Sequence, residues 1–354
     1  MNHKKTSIGI IFGGMSAEHE VSIESAKAIY SNLDRSRFDP LLIYINPRGN
    51  WCRMDGNTLL KTPSYKGSEL LLKTRDSFHS FTPWESGVLE PFSCDIYFPV
   101  LHGPNGEDGR IQGLLELAGA PYVGASSFSS ALAMNKVAAK MIFQCADLDT
   151  PRFVYFREND HRKILKETQN SLRLPVFVKP NSLGSSVGIT KVKYWDDLEE
   201  AVRIAFHYDS IVIIEEGIDA HEIEVSVMGN QAIKVSRPGE LIPHNEFYNY
   251  ADKYLDNQTR FHIPAELDLK IEETICSMAR RAFQVLFLNG MSRIDFFLEK
   301  RTDRVFINEI NTIPGFTEIS MFPKLWQLEG ISFTDLITRL IDYGFEYHHD
   351  QKKH

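Results

Sequence analysis

Two short segments near the C-terminal end of the chain place charged and amide side chains two residues apart. Arg293 and Asp295 form the first pair, and Glu309 and Asn311 form the second. Because alternate side chains of a β-strand point to the same face, each pair shares one face of its strand. If the two strands pair, four polar side chains converge on one face of an otherwise apolar sheet. Buried carboxylates require a neutralising cation, so the pattern predicts an oxygen-ligated Mg²⁺ site. The alternative is a solvated strand face with an incidental Arg–Asp ion pair.

A glycine- and serine-rich segment, NSLGSSVG at residues 181–188, follows an apolar run that contains Lys179. Small residues let backbone N–H groups approach a phosphate closely, and the hydroxyl groups and the lysine add donors and charge. No GK[ST] follows the glycines, so the segment is not a Walker A loop. The pattern predicts a phosphate-binding loop inside a β-hairpin, with a simple flexible turn as the alternative.

Other polar residues stand at the ends of apolar runs. Glu215 and Glu216 follow IVII, and His102 follows DIYFPVL. Ligands of open α/β sheets bind beyond the carboxyl ends of the strands, so both positions are candidates for ligand contact. Solvated charge at a strand end is the alternative for the two glutamates. The turn at Gly13-Gly14 lacks the G-x-G-x-x-G spacing and gives no support for a dinucleotide site.

The elements that must position these residues form three regions, 1–121, 122–214 and 215–354. The first region alternates strands and helices, and its unbroken apolar run at 8–12 is typical of a parallel strand buried on both faces. The stretch 51–92 is weakly periodic, and we interpret it as elaboration of this α/β region.

The other two regions carry longer helical patterns beside short strands. We predict one helix over 126–145 and another over 266–287. The second of these precedes two strands predicted at 291–298 and 305–311, which carry the paired polar residues.

Composition restricts the class of protein. The chain has 354 residues, with 39 Lys and Arg against 47 Asp and Glu, for a net charge of −8. This length suits two or three domains, the 43% apolar content excludes general disorder, and no apolar run approaches the ~20 residues that span a bilayer. The acidic excess argues against nucleic acid as a partner.

The cysteines and the N-terminal segment indicate the compartment. Four widely spaced cysteines with no CxxC pair predict buried, reduced thiols at Cys52, Cys94, Cys145 and Cys276. The short apolar run that ends at Gly13-Gly14 favours a first β-strand over a signal peptide. We therefore expect a cytoplasmic protein.

Eight motifs, in order along nearly the whole chain, resemble those of the D-alanine–D-alanine ligases, members of the ATP-grasp superfamily. The motifs are GGMSAEHEVS (13–22), LHGPNGEDGRIQG (101–113), MNK (134–136), VKPNSLGSSVGI (178–189), IIEEGI (213–218), ADKYL (251–255), SRIDFF (292–297) and NEINTIPGFTEIS (308–320).

The resemblance implies a fold and a reaction. It implies an N-terminal α/β preATP-grasp domain with a parallel sheet (1–121). A central domain (122–214) and a C-terminal domain (215–354), of α+β type, would bind ATP between two antiparallel sheets. The reaction would join two D-alanines through an acyl phosphate, for peptidoglycan precursor synthesis. The expected partners are ATP and D-alanine, without nucleic acid or membrane, in a homodimer.

The resemblance also assigns residues to ATP and to metal. Lys136, Lys179 and Lys253 would contact phosphates, Glu222 the ribose, and Glu215 the adenine. The full set implied for ATP is Lys136, Lys179, Ser185, Ser186, Glu215, Glu216, Ile218, Glu222, Lys253, Asn308 and Glu309. Two Mg²⁺ ions, or Mn²⁺ in their place, would be held by Asp295, Glu309 and Asn311.

The remaining implied residues serve the amino-acid substrates and the chemistry. Substrate contacts would come from Glu18, His102, Arg293, Gly315 and Ser320. The implied catalytic set is Glu18, Ser185, Tyr254, Arg293 and Gly315. Within it, Glu18, Ser185 and Tyr254 would form a hydrogen-bonded triad that joins three loops, while Arg293 and the Gly315 N–H would face the oxyanion.

Three alternatives stay open from the sequence. The tyrosine of ADKYL, Tyr254, favours an amine as the second nucleophile, but a ligase of the same class could use D-lactate. A catalytically silent nucleotide-binding protein of the same fold has no need for the intact Arg293 and metal-site set. An NAD-dependent oxidoreductase lacks its glycine fingerprint here.

Overall fold

A computed structural model describes residues 4–61, 68–73, 80–83, 93–242 and 260–351. Lys253 and Tyr254, which the sequence assigns to the site, lie outside the described residues. The strands are β1 (Thr6–Gly13), β2 (Phe38–Ile45), β3 (Trp51–Met54), β4 (Ser68–Lys73), β5 (Ser80–Pro83), β6 (Ile96–Val100), β7 (Phe153–Arg157), β8 (Val176–Pro180), β9 (Thr190–Val192), β10 (Ile211–Glu216), β11 (Ala220–Gly229), β12 (Lys234–Val235), β13 (Gly239–Ile242), β14 (Arg260–His262), β15 (Gly290–Glu299) and β16 (Val305–Asn311). The helices are α1 (His19–Asn32), α2 (Gly56–Lys61), α3 (Arg110–Leu117), α4 (Ser127–Met134), α5 (Lys136–Cys145), α6 (His161–Ser171), α7 (Leu198–Phe206), α8 (Leu269–Val285), α9 (Met321–Leu328) and α10 (Phe333–Gln351).

The N-terminal sheet has the strand order β5-β4-β3-β2-β1-β6. β1 pairs in parallel with both β2 and β6, as the continuous apolar run predicted. Strands β3, β4 and β5 extend the sheet in antiparallel fashion from the stretch 51–92. The sequence did not predict these strands, because they are only four to six residues long and too short to show a period.

The central sheet is antiparallel, with the order β7-β10-β8-β9. β8 and β9 pair as a hairpin on either side of the glycine-rich segment, which confirms that prediction. Apolar residues of this sheet, such as Val178 and Ile214, pack with Leu198 and Ala201 of α7 into a core of their own.

The C-terminal sheet, β14-β13-β11-β15-β16, is also antiparallel. Its inner face packs against α8, which contributes Ile275, Ala279 and Phe283, all fully buried. α8 is shorter than the helix predicted at 266–287. It begins after Asp268, whose backbone is extended, and it ends before Phe287, where the chain turns into the left-handed region (φ 55°).

The helix predicted at 126–145 is two helices, α4 and α5, and they break at Asn135. Asn135 has an extended backbone, and its side chain accepts the N–H of Ala138 at 2.9 Å, so it caps α5. Both helices pack into the core under the C-terminal sheet through Ala133, Ala139 and Phe143. The cap therefore fixes where α5 begins, at Lys136.

All four cysteines are free thiols, as predicted, but their burial differs from the prediction. Cys52 and Cys94 are buried, Cys276 is half-buried, and Cys145 is exposed at the end of α5. Within the described ranges, no helix combines the length and apolar character needed to cross a membrane.

Candidate active site

Two cavities meet at the junction of the three sheets. The α1 cavity, about 710 Å³, lies between α1, the glycine-rich loop and the chain that leads into α9. The intersheet cavity, about 1050 Å³, lies between the central and C-terminal sheets. Lys136, Ser185, Arg293 and Glu309 line both cavities, so the two cavities adjoin at these residues.

The sequence-predicted residues divide between the two cavities. Those that line only the α1 cavity are Glu18, His102, Asn311, Gly315 and Ser320. Those that line only the intersheet cavity are Lys179, Ser186, Glu215, Glu216, Ile218, Glu222, Asp295 and Asn308. Every predicted site residue within the described part of the chain therefore lines one or both cavities.

The two polar strand pairs of the sequence do pair in the sheet. β15 and β16 set Arg293 opposite Asn311 and Asp295 opposite Glu309. The register shifts between Asp295 and Phe296, which leaves Asn308 as the extra residue of a β-bulge. Bulges often re-aim side chains beside active sites, and here the bulge directs both Asn308 and Glu309 to the cavity walls.

Arg293 is the fixed cation of this cluster. Its guanidinium donates to both oxygens of Asp295 at 2.7 Å and lies 3.3 Å from Glu224 Oε2. Burial opposes its charge, but the carboxylates of Asp295 and Glu224 outweigh burial and raise the pKa of Arg293 well above its usual value. The side chain still lines both cavities, so its positive field reaches the point where they meet.

Oxygen donors for a divalent cation stand beside Arg293. Asp295 Oδ2 accepts from Arg293 and, at 3.0 Å, from Asn311 Nδ2, whereas Oδ1 accepts only from Arg293 and keeps a second lone pair. Rotation of the Asn311 amide by half a turn would present its oxygen in place of its nitrogen. Within the described ranges no three His, Cys, Asp or Glu side chains form a ready metal cage. Asp295, Glu309 and the Asn311 amide together fit a hard, oxygen-seeking cation.

Glu215 is a buried anion between two lysines. Its carboxylate lies 2.7 Å from Lys179 Nζ and 3.2 Å from Lys140 Nζ. Burial would raise the pKa of this carboxyl, but the two lysines outweigh it and lower the pKa to about 2. Oε2 accepts a hydrogen bond from Lys179, and Oε1 forms an ion pair with Lys140, a residue that the sequence did not bring into the site.

The glycine-rich loop lies against Glu18. A Cβ on Gly184 would be 3.9 Å from Glu18 Oε2, and Lys136 Nζ donates to the Leu183 carbonyl at 2.6 Å. Ser185 and Ser186 adopt left-handed backbone angles (φ 53° and 58°), which non-glycine residues rarely do. The buried Ser185 hydroxyl has no hydrogen-bond partner among the described residues. Two members of the expected triad, Glu18 and Ser185, thus line the same cavity.

His102 has both ring nitrogens engaged by protein groups. Nδ1 lies 3.0 Å from the Ile313 carbonyl, which can only accept, so Nδ1 carries the proton. Ser25 Oγ accepts the N–H of Phe316 at 3.1 Å and lies 3.1 Å from His102 Nε2, so the hydroxyl donates to that nitrogen. Burial lowers the pKa of His102, in agreement with a neutral ring.

This chain of hydrogen bonds ties α1 to residues 313–316. His102 lines the α1 cavity as expected, but its hydrogen bonds hold the loop of Gly315 and do not point to a ligand. Ser25 is fully buried, and the sequence shows it only as a serine in the apolar stripe of α1.

Gly315 and Ser320 form the opposite wall of the α1 cavity. A Cβ on Gly315 would lie 2.7 Å from Ser320 Oγ, so the close approach requires glycine. Ser320 precedes α9, and its hydroxyl accepts the N–H of Thr317 at 3.1 Å. The start of α9 thus faces the cavity, and helix N-termini favour anionic groups.

Both halves of the chain match models of one ligase family. Models of the N-terminus and the C-terminus of D-Ala D-Ala ligases match residues 7–125 and 142–342. The chain is 44% identical to the D-alanine–D-alanine ligase of Thermoanaerobacter sp. (strain X514), over 98% of this chain and 99% of that relative.

Solved structures agree over nearly the full length. The D-alanine-D-alanine ligase of Coxiella burnetii matches with a TM-score of 0.89 and 34% identity, over 99% of this chain and 97% of that one. The VanG D-Ala:D-Ser ligase of Enterococcus faecalis matches with a TM-score of 0.88 and 34% identity, over 96% of this chain and all of that one.

Proposed function

Because the chain belongs to the D-alanine–D-alanine ligase family of ATP-grasp enzymes, we propose that its two joined cavities bind the substrates of one reaction. The protein is an ATP-dependent ligase that joins two D-alanines for peptidoglycan precursor synthesis. The proposal assigns ATP to the intersheet cavity and the amino acids to the α1 cavity.

One observation carries this assignment. Arg293, Glu309, Ser185 and Lys136 line both cavities, so the γ-phosphate of ATP and the carboxylate of the first D-alanine would meet beside a fixed cation. Phosphoryl transfer depends chiefly on such positioning and on charge neutralisation. A protein that only binds a nucleotide and catalyses no reaction would not need charged residues shared between two cavities.

The reaction proceeds in two steps. A carboxylate oxygen of the first D-alanine attacks the γ-phosphorus, and ADP leaves, which gives an acyl phosphate. The deprotonated amine of the second D-alanine attacks the acyl carbon, and the tetrahedral intermediate then expels phosphate. Arg293 and the N–H of Gly315 lie where the oxyanion of that intermediate develops, and they stabilise it electrostatically.

The α1 cavity orients the two amino acids. Glu18 pairs with the ammonium group of the first D-alanine, and Ser320, at the start of α9, binds the carboxylate of the second. His102 and Ser25 keep the Gly315 loop in place. Tyr254 joins Glu18 and Ser185 as the third member of the predicted triad.

The intersheet cavity orients the nucleotide. Lys136, Lys179 and Lys253 bind phosphates, and Ser185 and Ser186 close over them. The adenine lies near Glu215, Glu216 and Ile218, with the ribose at Glu222. The Glu216 carboxylate already accepts the N–H of Arg173 at 2.9 Å, which supports contact through its backbone. Asn308 and Glu309 complete the wall.

A divalent metal accompanies ATP in this family, and Mg²⁺, with Mn²⁺ as a substitute, suits the donors present. Asp295, Glu309 and Asn311 would hold it, and it would neutralise phosphate charge during transfer. We further propose three domains with boundaries near 122 and 215, a homodimer and a cytoplasmic location.

The second substrate distinguishes this enzyme from its neighbours. The VanG neighbour is named for D-serine, and a ligase of the same class that uses D-lactate is the alternative left open by the sequence. An amine nucleophile must be deprotonated, so the yield of dipeptide should rise with pH, whereas an ester from D-lactate would not require this.

A phosphate-release assay with ATP, Mg²⁺ and a panel of acceptors tests the proposal. We expect release that depends on D-alanine, with D-alanyl-D-alanine as the product, and little release with L-alanine, D-serine or D-lactate. A rate of phosphate release that is the same with and without D-alanine would contradict the proposal.

A further inference from the structure

A buried group of three charges lies behind the intersheet cavity. Lys140 Nζ is 3.2 Å from Glu215 Oε1, and Lys179 Nζ is 2.7 Å from Glu215 Oε2. The side chains of Lys140 and Glu215 are each 2% exposed, against 12% for Lys179. The group thus combines two cations with one anion.

The two lysines stand in different places. Lys179 and Glu215 line the intersheet cavity, whereas Lys140 lines neither cavity. Lys140 belongs to α5, one helical turn after Lys136, and its second contact is Thr150 Oγ1 at 3.1 Å. Lys140 therefore contacts Glu215 from the side that faces away from the intersheet cavity.

The charge count of the group is unbalanced. Two lysines against one glutamate leave one positive charge that the group itself does not neutralise. The carboxylates of Glu309 and Glu222 act on Lys179 through their charge alone, without a hydrogen bond, and a buried excess charge is costly unless an anion compensates it. Burial lowers the pKa of Lys140, while Glu215 and neighbouring carboxylates outweigh burial and raise the pKa of Lys179. The excess charge is thus presented by Lys179, which faces the cavity.

We propose that Lys140 is a positioning residue for nucleotide binding: it holds Glu215 from behind, so that the charge of Lys179 is directed to the phosphates of the nucleotide. The inference rests on the proposed assignment of ATP to the intersheet cavity. Without Lys140, Glu215 and Lys179 would form a closed, neutral pair, and Lys179 would attract phosphate less. Glu215 would keep its carboxylate and its contact with Lys179, so its proposed contact with the adenine, and hence the affinity for adenosine, would change little.

Calorimetric titration of ADP and of adenosine separates this role from a structural one, because adenosine carries no phosphate. For Lys140→Met we expect the Kd of ADP to rise about ten-fold or more, as for the loss of a charge-assisted contact, and the Kd of adenosine to change less than about two-fold. The matched control is Lys166→Met, which removes an exposed lysine of α6, a helix that packs against β7 of the central sheet. An equal rise for ADP and adenosine would overturn the inference, as would no change for ADP.

A double-mutant cycle tests whether Lys140 acts through Glu215. In the Glu215→Gln background, Lys140→Met should leave the Kd of ADP unchanged within about two-fold, because Lys140 and Lys179 then have no common carboxylate partner. A further ten-fold loss in that background would overturn the inference. If Lys140→Met does not fold alone, the double variant still gives this comparison, because it leaves no buried carboxylate at position 215.

The wild-type titration separates the two proposals. If the wild type binds ADP and Lys140→Met binds it with the same affinity, only the role of Lys140 is overturned. Wild-type protein that binds neither ADP nor adenosine overturns the proposed function, and the role of Lys140 with it.

Discussion

The walls of the two cavities are built from different interactions. Behind the wall of the α1 cavity, His102, Ser25 and Phe316 form a buried chain of neutral hydrogen bonds. In the intersheet cavity, Lys179 and Glu215 form part of a buried cluster of full charges. Arg293 stands where the two meet, charged and hydrogen-bonded to Asp295.

The neutral hydrogen bonds fix the position of a loop, whereas the buried charges create an electrostatic field for the ligand. Neutral, satisfied hydrogen bonds fix the position of a loop without presenting charge to a substrate. Buried charges are costly in themselves and are stabilised further when an oppositely charged ligand arrives. We therefore expect changes in the α1 wall to alter turnover at constant nucleotide affinity, and changes in the intersheet wall to alter nucleotide or metal binding.

The largest effect is expected at the junction. Arg293→Met should lower kcat about 100- to 1000-fold, because it removes an oxyanion donor in a water-poor site. Arg293→Lys should restore only part of the activity, since a lysine cannot make the two-pronged contact with Asp295. Initial rates of phosphate release at saturating substrates measure both, with Arg203→Met, which breaks an exposed Arg–Glu pair, as the control. A kcat within about ten-fold of wild type for Arg293→Met would contradict the role.

A smaller effect is expected on metal dependence. Glu309→Gln keeps the size of the side chain but removes one carboxylate from the proposed donor set. The Mg²⁺ concentration for half-maximal activity should rise about 10- to 100-fold, while the circular dichroism spectrum stays that of the wild type. Wild-type turnover at low Mg²⁺ in this variant would exclude Glu309 as a ligand.

The neutral wall can be tested with two buried serines of the same helix. Ser25→Ala breaks the link from His102 to the Phe316 N–H and should lower kcat about ten-fold with the Kd of ADP unchanged. Ser22→Ala removes an equally buried hydroxyl that contacts Gly13 and Val100, away from this loop. Both variants should cost about 1–3 kcal/mol of stability, but Ser22→Ala should keep its kcat. Equal loss of kcat in the two would show that Ser25 acts only on stability.

The smallest effect is a pH dependence of stability. The pKa of His102 in the folded protein lies below its ordinary value of 6.5, because burial disfavours the charged ring. Below pH 6.5 the unfolded chain takes up the proton first, so acidification favours unfolding. Relative to His102→Gln, the wild type should lose up to about 1.4 kcal/mol of unfolding free energy between pH 7.5 and 5.5. Denaturant titration at both pH values measures this, and a constant difference would mean that His102 protonates normally in the fold.

Local patterns in the sequence were enough to predict the charged strand pair. The period of two at Arg293, Asp295, Glu309 and Asn311 lies within strands that are strongly apolar, so their pairing and shared face were predictable. The glycine-rich hairpin was also predictable from a local pattern, because its two strands are neighbours along the chain.

Long-range partners were not predictable in this way. Ser25 and Lys140 occupy helices whose patterns mark only a buried face, and their partners lie far along the chain. The break at Asn135 was missed because a single asparagine in an apolar helical pattern signals a cap only when the backbone around it is known. Short strands in 51–83 were missed because a few residues show no period.

In the proposed reaction the γ-phosphoryl group of ATP passes to the carboxylate of the first D-alanine, which gives an acyl phosphate and ADP. The most direct test supplies D-alanine with ¹⁸O in its carboxylate, together with ATP and Mg²⁺, and determines the mass of the released phosphate. If the carboxylate attacks phosphorus, the phosphate that leaves carries one oxygen from D-alanine, so one ¹⁸O should appear in phosphate for each dipeptide formed. Unlabelled phosphate alongside D-alanyl-D-alanine would contradict the acyl phosphate route.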